Sequence, residues 1–159
     1  MGIVCELYRM SDSKIEELKK MESEVAEEFL DENFANIFGK YHKENDTVFS
    51  MDKGWDITRF LIKQNDNSED GFLKILDSKY IESGKAKRVN ELLLGVNSDK
   101  IKEVCDRKLM TEKQVYLAKR LEDWTESNFW NYIVPHLETY KKAFQKAVEL
   151  NHGIVFHFH

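Results

Sequence analysis

The segment ESNFWNYIVPHLETYKKAFQKAVEL, residues 126–150, followed by NHGIVFHFH, residues 151–159, sets the architecture. Trp130, Ile133, Val134, Leu137, Tyr140, Phe144 and Val148 recur at three- and four-residue steps, the period of a helix with one apolar stripe. Pro135 falls inside that stretch and either kinks the helix or sits in the first turn of a second segment. Asn151, His152 and Gly153 stop it, and Ile154, Phe156 and Phe158 then alternate with Val155, His157 and His159 as a closing strand. Each Phe, Leu or Ile withdrawn from water contributes about 1.5–3 kcal/mol, so burying this helical face matters more than any other element.

At the other end, Ile3 to Met10 alternates as an opening strand, which places the first and last strands next to or near each other in one small sheet. A helix is expected from Ser13 to Leu30, with Ile15, Leu18, Met21, Val25 and Phe29 on its inner face and either Ser13 or Ser11 as its cap. Between Asp12 and Glu32 nine acidic residues stand against three lysines, a local charge of 3 − 9 = −6 that makes the outer face a solvated acidic surface.

Phe34 to Phe49 has no clean period and reads as a connection. The next helix is expected from Asp52, as N-cap, to Lys63. A polar loop covers Asn65 to Asp70, short helical pieces follow Gly71, and Gly84 breaks the chain. Leu92, Leu93 and Leu94 read as a short buried strand ended by Gly95, Asn97 or Ser98 caps a helix to Lys108, and Thr111 opens another through Leu121. From Lys85 to Arg120 ten basic residues meet five acidic ones, a local +5. The expected fold is α+β: a small sheet that includes both terminal strands, packed against several helices, in one domain of residues 1–159.

The order of these elements resembles the YfbM-like family of bacterial proteins. The resemblance is carried by the Met1-Gly2-Ile3 opening on a strand and by Asp52-Lys53-Gly54-Trp55 with Phe60-Leu61-Ile62 behind it. The strand-cap-helix unit from Leu92 to Val104 and the closing aromatic helix and strand complete it. It spans the whole chain and implies a small α+β domain in a bacterial cytosolic setting, with no reaction assigned. Many members carry a histidine four residues after the tryptophan; here Arg59 takes that position.

Composition excludes several classes. The net charge of −5 argues against nonspecific attraction to nucleic acid or anionic lipid, and the basic stretch has Tyr116 as its one interleaved aromatic. The N-terminus has no basic region and its apolar run stops at Glu6, too short for a signal peptide or a membrane span, so a cytoplasmic protein is expected. In that setting Asn45-Asp46-Thr47 is a chance match to a glycosylation acceptor. Cys5 and Cys105 lie far apart without zinc or redox spacing and read as reduced structural residues. GxGxxG, P-loop, GxSxG and HExxH motifs do not occur.

Weak constellations remain. Asp52, Asp56 and Arg59 at i, i+4 and i+7 would line one helical face beside Trp55 and form a candidate ligand-binding set; the plain structural account has a cap, an ion pair and a core tryptophan. Asp66 to Gly71 with Asp77 partly fits a calcium loop, spoiled by Lys74 and by the short Asp77 side chain. His157 and His159 share the outer face of the last strand and read as a surface pair rather than a metal site. No metal and no cofactor is expected.

The leading functional expectation is a noncatalytic binding or protein-interaction domain whose acidic helix engages another protein, an immunity or antitoxin type included. The alternative is a small-ligand enzyme around Asp52, Trp55, Asp56 and Arg59, with Tyr8 nearby. A structural homo-oligomer subunit is the third. The oligomeric state is left open.

Overall fold

A computed structural model describes residues 2–44 and 46–159; Asn45 of the glycosylation match lies outside the described residues. Four strands, β1 (Cys5–Met10), β2 (Val48–Ser50), β3 (Tyr80–Ile81) and β4 (Gly153–Phe158), form one antiparallel sheet in the order β2-β1-β4-β3. The two terminal strands lie side by side at its centre, from Cys5 opposite Phe158 to Met10 opposite Gly153. The edge strands are short, which limits pairing with other chains.

Among the described residues eight α-helices flank this sheet: α1 (Asp12–Lys20), α2 (Ser23–Leu30), α3 (Trp55–Gln64), α4 (Ser83–Leu93), α5 (Ser98–Val104), α6 (Arg107–Glu112), α7 (Ala118–Leu121) and α8 (Glu126–Glu149). Alternation along β1 and β4 sends Cys5, Leu7, Ile154 and Phe156 into a large apolar core with α3 to α8, and sends Tyr8, Met10 and Val155 into a second core under α1 and α2. The fold is therefore α+β, as expected, with both faces of the sheet covered. No helix among the described residues is long and apolar enough to cross a membrane.

Several local expectations are corrected. The first helix breaks at Met21 and Glu22, whose backbone is extended, and Ser11 caps α1 by accepting the Lys14 N–H. A straight helix would have buried Val25; the break shifts the phase so that Ala26, Leu30 and Phe34 face the sheet and Val25 is half exposed. Leu92 to Leu94 is not a strand. Ala86, Val89 and Leu93 are buried at helical spacing in α4, which starts over Gly84, and Leu94 is exposed. Asn97 caps α5 by accepting the Lys100 N–H, and α5 ends at Val104. The stretch after Thr111 is interrupted by a loop in which Gln114 and Leu117 take positive φ values of 57° and 71°. Pro135 lies inside one uninterrupted α8, whose inner face is Phe129, Ile133, Leu137, Tyr140, Ala143, Phe144 and Ala147 rather than the Trp130 and Val148 edge.

Candidate functional site

Trp55, Asp56 and Arg59 come together at the start of α3, while Asp52 stands apart. Gly54, not Asp52, is the residue before the helix, and Asp52 turns the chain at φ 43°. A Cβ on Gly54 would lie 2.2 Å from His136 Cδ2, so only glycine lets this turn sit against α8. Asp52 faces α8, where its carboxylate accepts the Tyr132 hydroxyl at 3.4 Å. Burial, with the Asp52 charge second, pushes the Tyr132 phenol up to about 12.

Trp55 is nearly buried. Its indole N–H donates to the Ile3 carbonyl at 3.1 Å, its ring stacks on Tyr116 at 5.6 Å and meets the edge of Phe158, and the Arg59 guanidinium lies 4.9 Å over it. Asp56 accepts Arg59 at 2.6 Å with one oxygen and the backbone N–H of Tyr116 at 2.8 Å with the other. Arg59 also approaches Asp77 at 3.5 Å. These polar groups satisfy one another: carboxylate and guanidinium neutralise each other, and neither is held ready to move a proton. Their joint effect is to fasten the loop of residues 113–117, between α6 and α7, onto α3. That loop, with its two left-handed residues, encloses a hollow of about 360 Å³ bearing Tyr116, Lys119 and Arg120.

The other constellations resolve differently. His157 is not a surface residue: it is 1% exposed, Nε2 donates to Asp31 at 2.7 Å, and Nδ1 lies 2.9 Å from Glu27 without a hydrogen bond to it. Its ring stacks on His159, which meets Glu6 at 3.2 Å; Glu6 in turn accepts the buried Tyr8 hydroxyl at 2.6 Å. Alternation alone assigned His157 to a wet face because the covering by α2 is invisible locally. The Asp66 loop is a structural turn: Asp66 accepts the N–H groups of Ser68 and Leu73, Asp70 pairs with Arg88 and Asp77 with Lys63. Among the described residues no three His, Cys, Asp or Glu side chains are grouped to hold a metal. Both thiols are free and poorly nucleophilic, Cys5 pushed up to about 12 and Cys105 to about 11, in each case chiefly by burial.

Sequence reasoning missed Tyr116, Tyr132 and His136, since their roles arise from contacts across 60 to 80 positions. The two-turn helix α2 is also more strained electrostatically than its charge total implied. Glu24 and Glu28 stack at i, i+4, its last turn holds no basic residue, and Glu22, Glu24, Glu28 and Glu32 are exposed with no cation within ion-pair distance among the described residues. Val25, Ile37 and Phe38 in the same part of the chain are exposed, Phe38 to 77%.

A family model described as a domain of unknown function, DUF1877, matches residues 1–157. Among solved structures, YfbM from Escherichia coli, titled a protein of unknown function, superposes with a TM-score of 0.63 at 13% identity. The match covers 96% of this chain and 98% of that one, a likeness of fold. No curated protein matches the chain.

Proposed function

The chain belongs to the DUF1877, YfbM-like family, and from that premise we propose that residues 1–159 form one noncatalytic binding domain that engages a basic protein partner through the α2 surface. The observation that carries this reading is the unbalanced charge of α2. Like charges at i, i+4 each cost a few tenths of a kcal/mol, and carboxylates in the last turn oppose the helix dipole. A cationic partner removes both penalties, and exposed Val25, Ile37 and Phe38 supply the apolar contact that charge alone lacks. An immunity or antitoxin role is the case in which that partner is a toxin. The mutual neutralisation of Asp56 and Arg59 weighs against catalysis at α3.

The test is affinity capture from the source cells with the parent chain and a Glu24→Lys/Glu28→Lys double variant. The variant should melt at the same temperature or slightly higher, because it relieves the repulsion. We expect a basic protein retained in stoichiometric amount at low ionic strength, released by high salt and lost with the variant. Equal retention by the variant, or no stoichiometric partner, would refute the reading.

A second reading places a small ligand at Asp52, Trp55, Asp56 and Arg59. What favours it is a neighbouring hollow rather than the set itself: none of the four lines that hollow, but Trp55 and Asp56 hold the ring and backbone of Tyr116, which does.

A further inference from the structure

Arg9, the residue before the last of β1, lies beside a cavity of about 270 Å³ that sequence patterning did not reveal, since its walls come from four separate stretches of chain. The guanidinium is half buried and held on three sides: Nε donates to the Asp46 carbonyl at 2.7 Å, one terminal nitrogen to His152 Nδ1 at 2.8 Å, and the other to Thr47 Oγ1 at 3.1 Å. Among the described residues no carboxylate lies within ion-pair distance of it, an unusual state for a partly buried charge. An arginine has five N–H donors, so one remains on each terminal nitrogen, the pair that an oxyanion accepts. Because arginine only donates, His152 Nδ1 accepts, and the imidazole is neutral with its proton on Nε2.

The remaining walls fit an aromatic acid. Tyr41 closes a stack of three rings, 4.4 Å from Phe34, which lies 4.6 Å from Tyr8. Ser11 and Thr47 add hydroxyls, and Lys14 stands at the rim. Glu44 is the one carboxylate in the lining, and Lys14 is already paired with Glu17 at 3.0 Å, which leaves Arg9 as the one lining cation without an ion-pair partner among the described residues. That single cation suits a monoanion better than a phosphate dianion. The volume lies just under the usual range of about 300–1,000 Å³ for ligand sites, room for a single ring.

We propose that this cavity is a binding site for a small aromatic carboxylate, with the carboxylate on the free donors of Arg9 and the ring against the edge of Tyr41, which is stacked on Phe34 and has Lys40 5.0 Å over its ring. The site is separate from the acidic α2 surface and does not depend on the partner proposed there.

Titration of benzoate, phenyl phosphate and acetate into isotopically labelled protein, read by amide chemical shifts, tests it. Benzoate should saturate with a dissociation constant of about 1 mM or below, shifting Arg9, Ser11, Lys14 and His152, while acetate and phenyl phosphate bind about fivefold or more weakly. Tyr41→Ala and Arg9→Met should each weaken benzoate by about tenfold. Arg9→Met also removes three internal hydrogen bonds, so Tyr41→Ala, which leaves them in place, keeps the test valid if Arg9→Met fails to fold. Absence of saturable shifts around Arg9, an unchanged benzoate affinity in Tyr41→Ala, or tighter binding of phenyl phosphate than of benzoate would overturn the proposal.

Discussion

Cys5, Leu7, Ile154 and Phe156 leave one face of the sheet to meet α8, whereas Glu6, Tyr8, Val155 and His157 leave the other to meet α1 and α2. The first interface is apolar apart from the Tyr140 hydroxyl, which donates to the Trp55 carbonyl, and Phe129, Ile133, Leu137 and Phe144 fill it with side chains that need only volume and shape. The second buries Glu6 and His157 among aromatic rings and holds them by hydrogen bonds to Tyr8 and Asp31. One face is stabilised by packing of apolar side chains; the other is stabilised partly by hydrogen-bonded ionisable groups. The same two strands supply both, so the contrast comes from what covers them.

The largest effect separating the faces is expected from Phe144→Ala. Phe144 is fully buried in the α8 core, and its truncation should lower unfolding free energy by about 3–5 kcal/mol in denaturant melts, equally at pH 5.5 and pH 7.5. A pH-dependent loss would show that the faces are not distinct.

Tyr8→Phe should come next. Removing the hydroxyl leaves the buried Glu6 carboxylate with His159 as its remaining partner, at a cost of about 2 kcal/mol by the same melts. No loss would mean that water reaches Glu6 and that the second face is wetter than its burial implies.

Acidification should act more weakly and on the second face. Burial is the largest cause that pulls His157 below its ordinary 6.5; the Asp31 hydrogen bond and charge oppose it, and Lys79, which takes up the Glu27 carboxylate, adds to the lowering. The unfolded chain therefore binds the proton more readily than the folded one, so stability is full above 6.5 and declines as pH falls through it toward the lower folded value. One group contributes at most about 1.4 kcal/mol per pH unit. His152, also lowered chiefly by burial, adds the same sign, as does His136 on α8, so the contrast in pH response between the faces is one of degree. Amide exchange at pH 5.5 should speed up in α1 and α2 before α8, and His157→Gln should flatten the slope; uniform acceleration would break the distinction.

How far the site was legible follows from sequence distance. Asp56 and Arg59 pair three positions apart on one helix, and Arg59 lies over Trp55 four positions before it, so their meeting follows from helical spacing alone. Asp52 misled because a capping signature is local, whereas the turn it occupies is dictated by the approach of Gly54 to His136 in α8. Arg9 and His152 lie 143 positions apart, and no pattern in either neighbourhood announces the other.

The α+β class, the two terminal strands and the long closing helix were written in residue order, because alternation and the helical period are properties of neighbours; that the two strands pair at the centre of the sheet was decided by the fold. Which side of a strand stays dry, where the first acidic helix breaks, and whether a leucine triplet becomes helix or strand were settled by packing, because burial belongs to the pair of surfaces that meet. His157 shows the boundary: its alternation is local, but its burial exists only once α2 lies across the sheet.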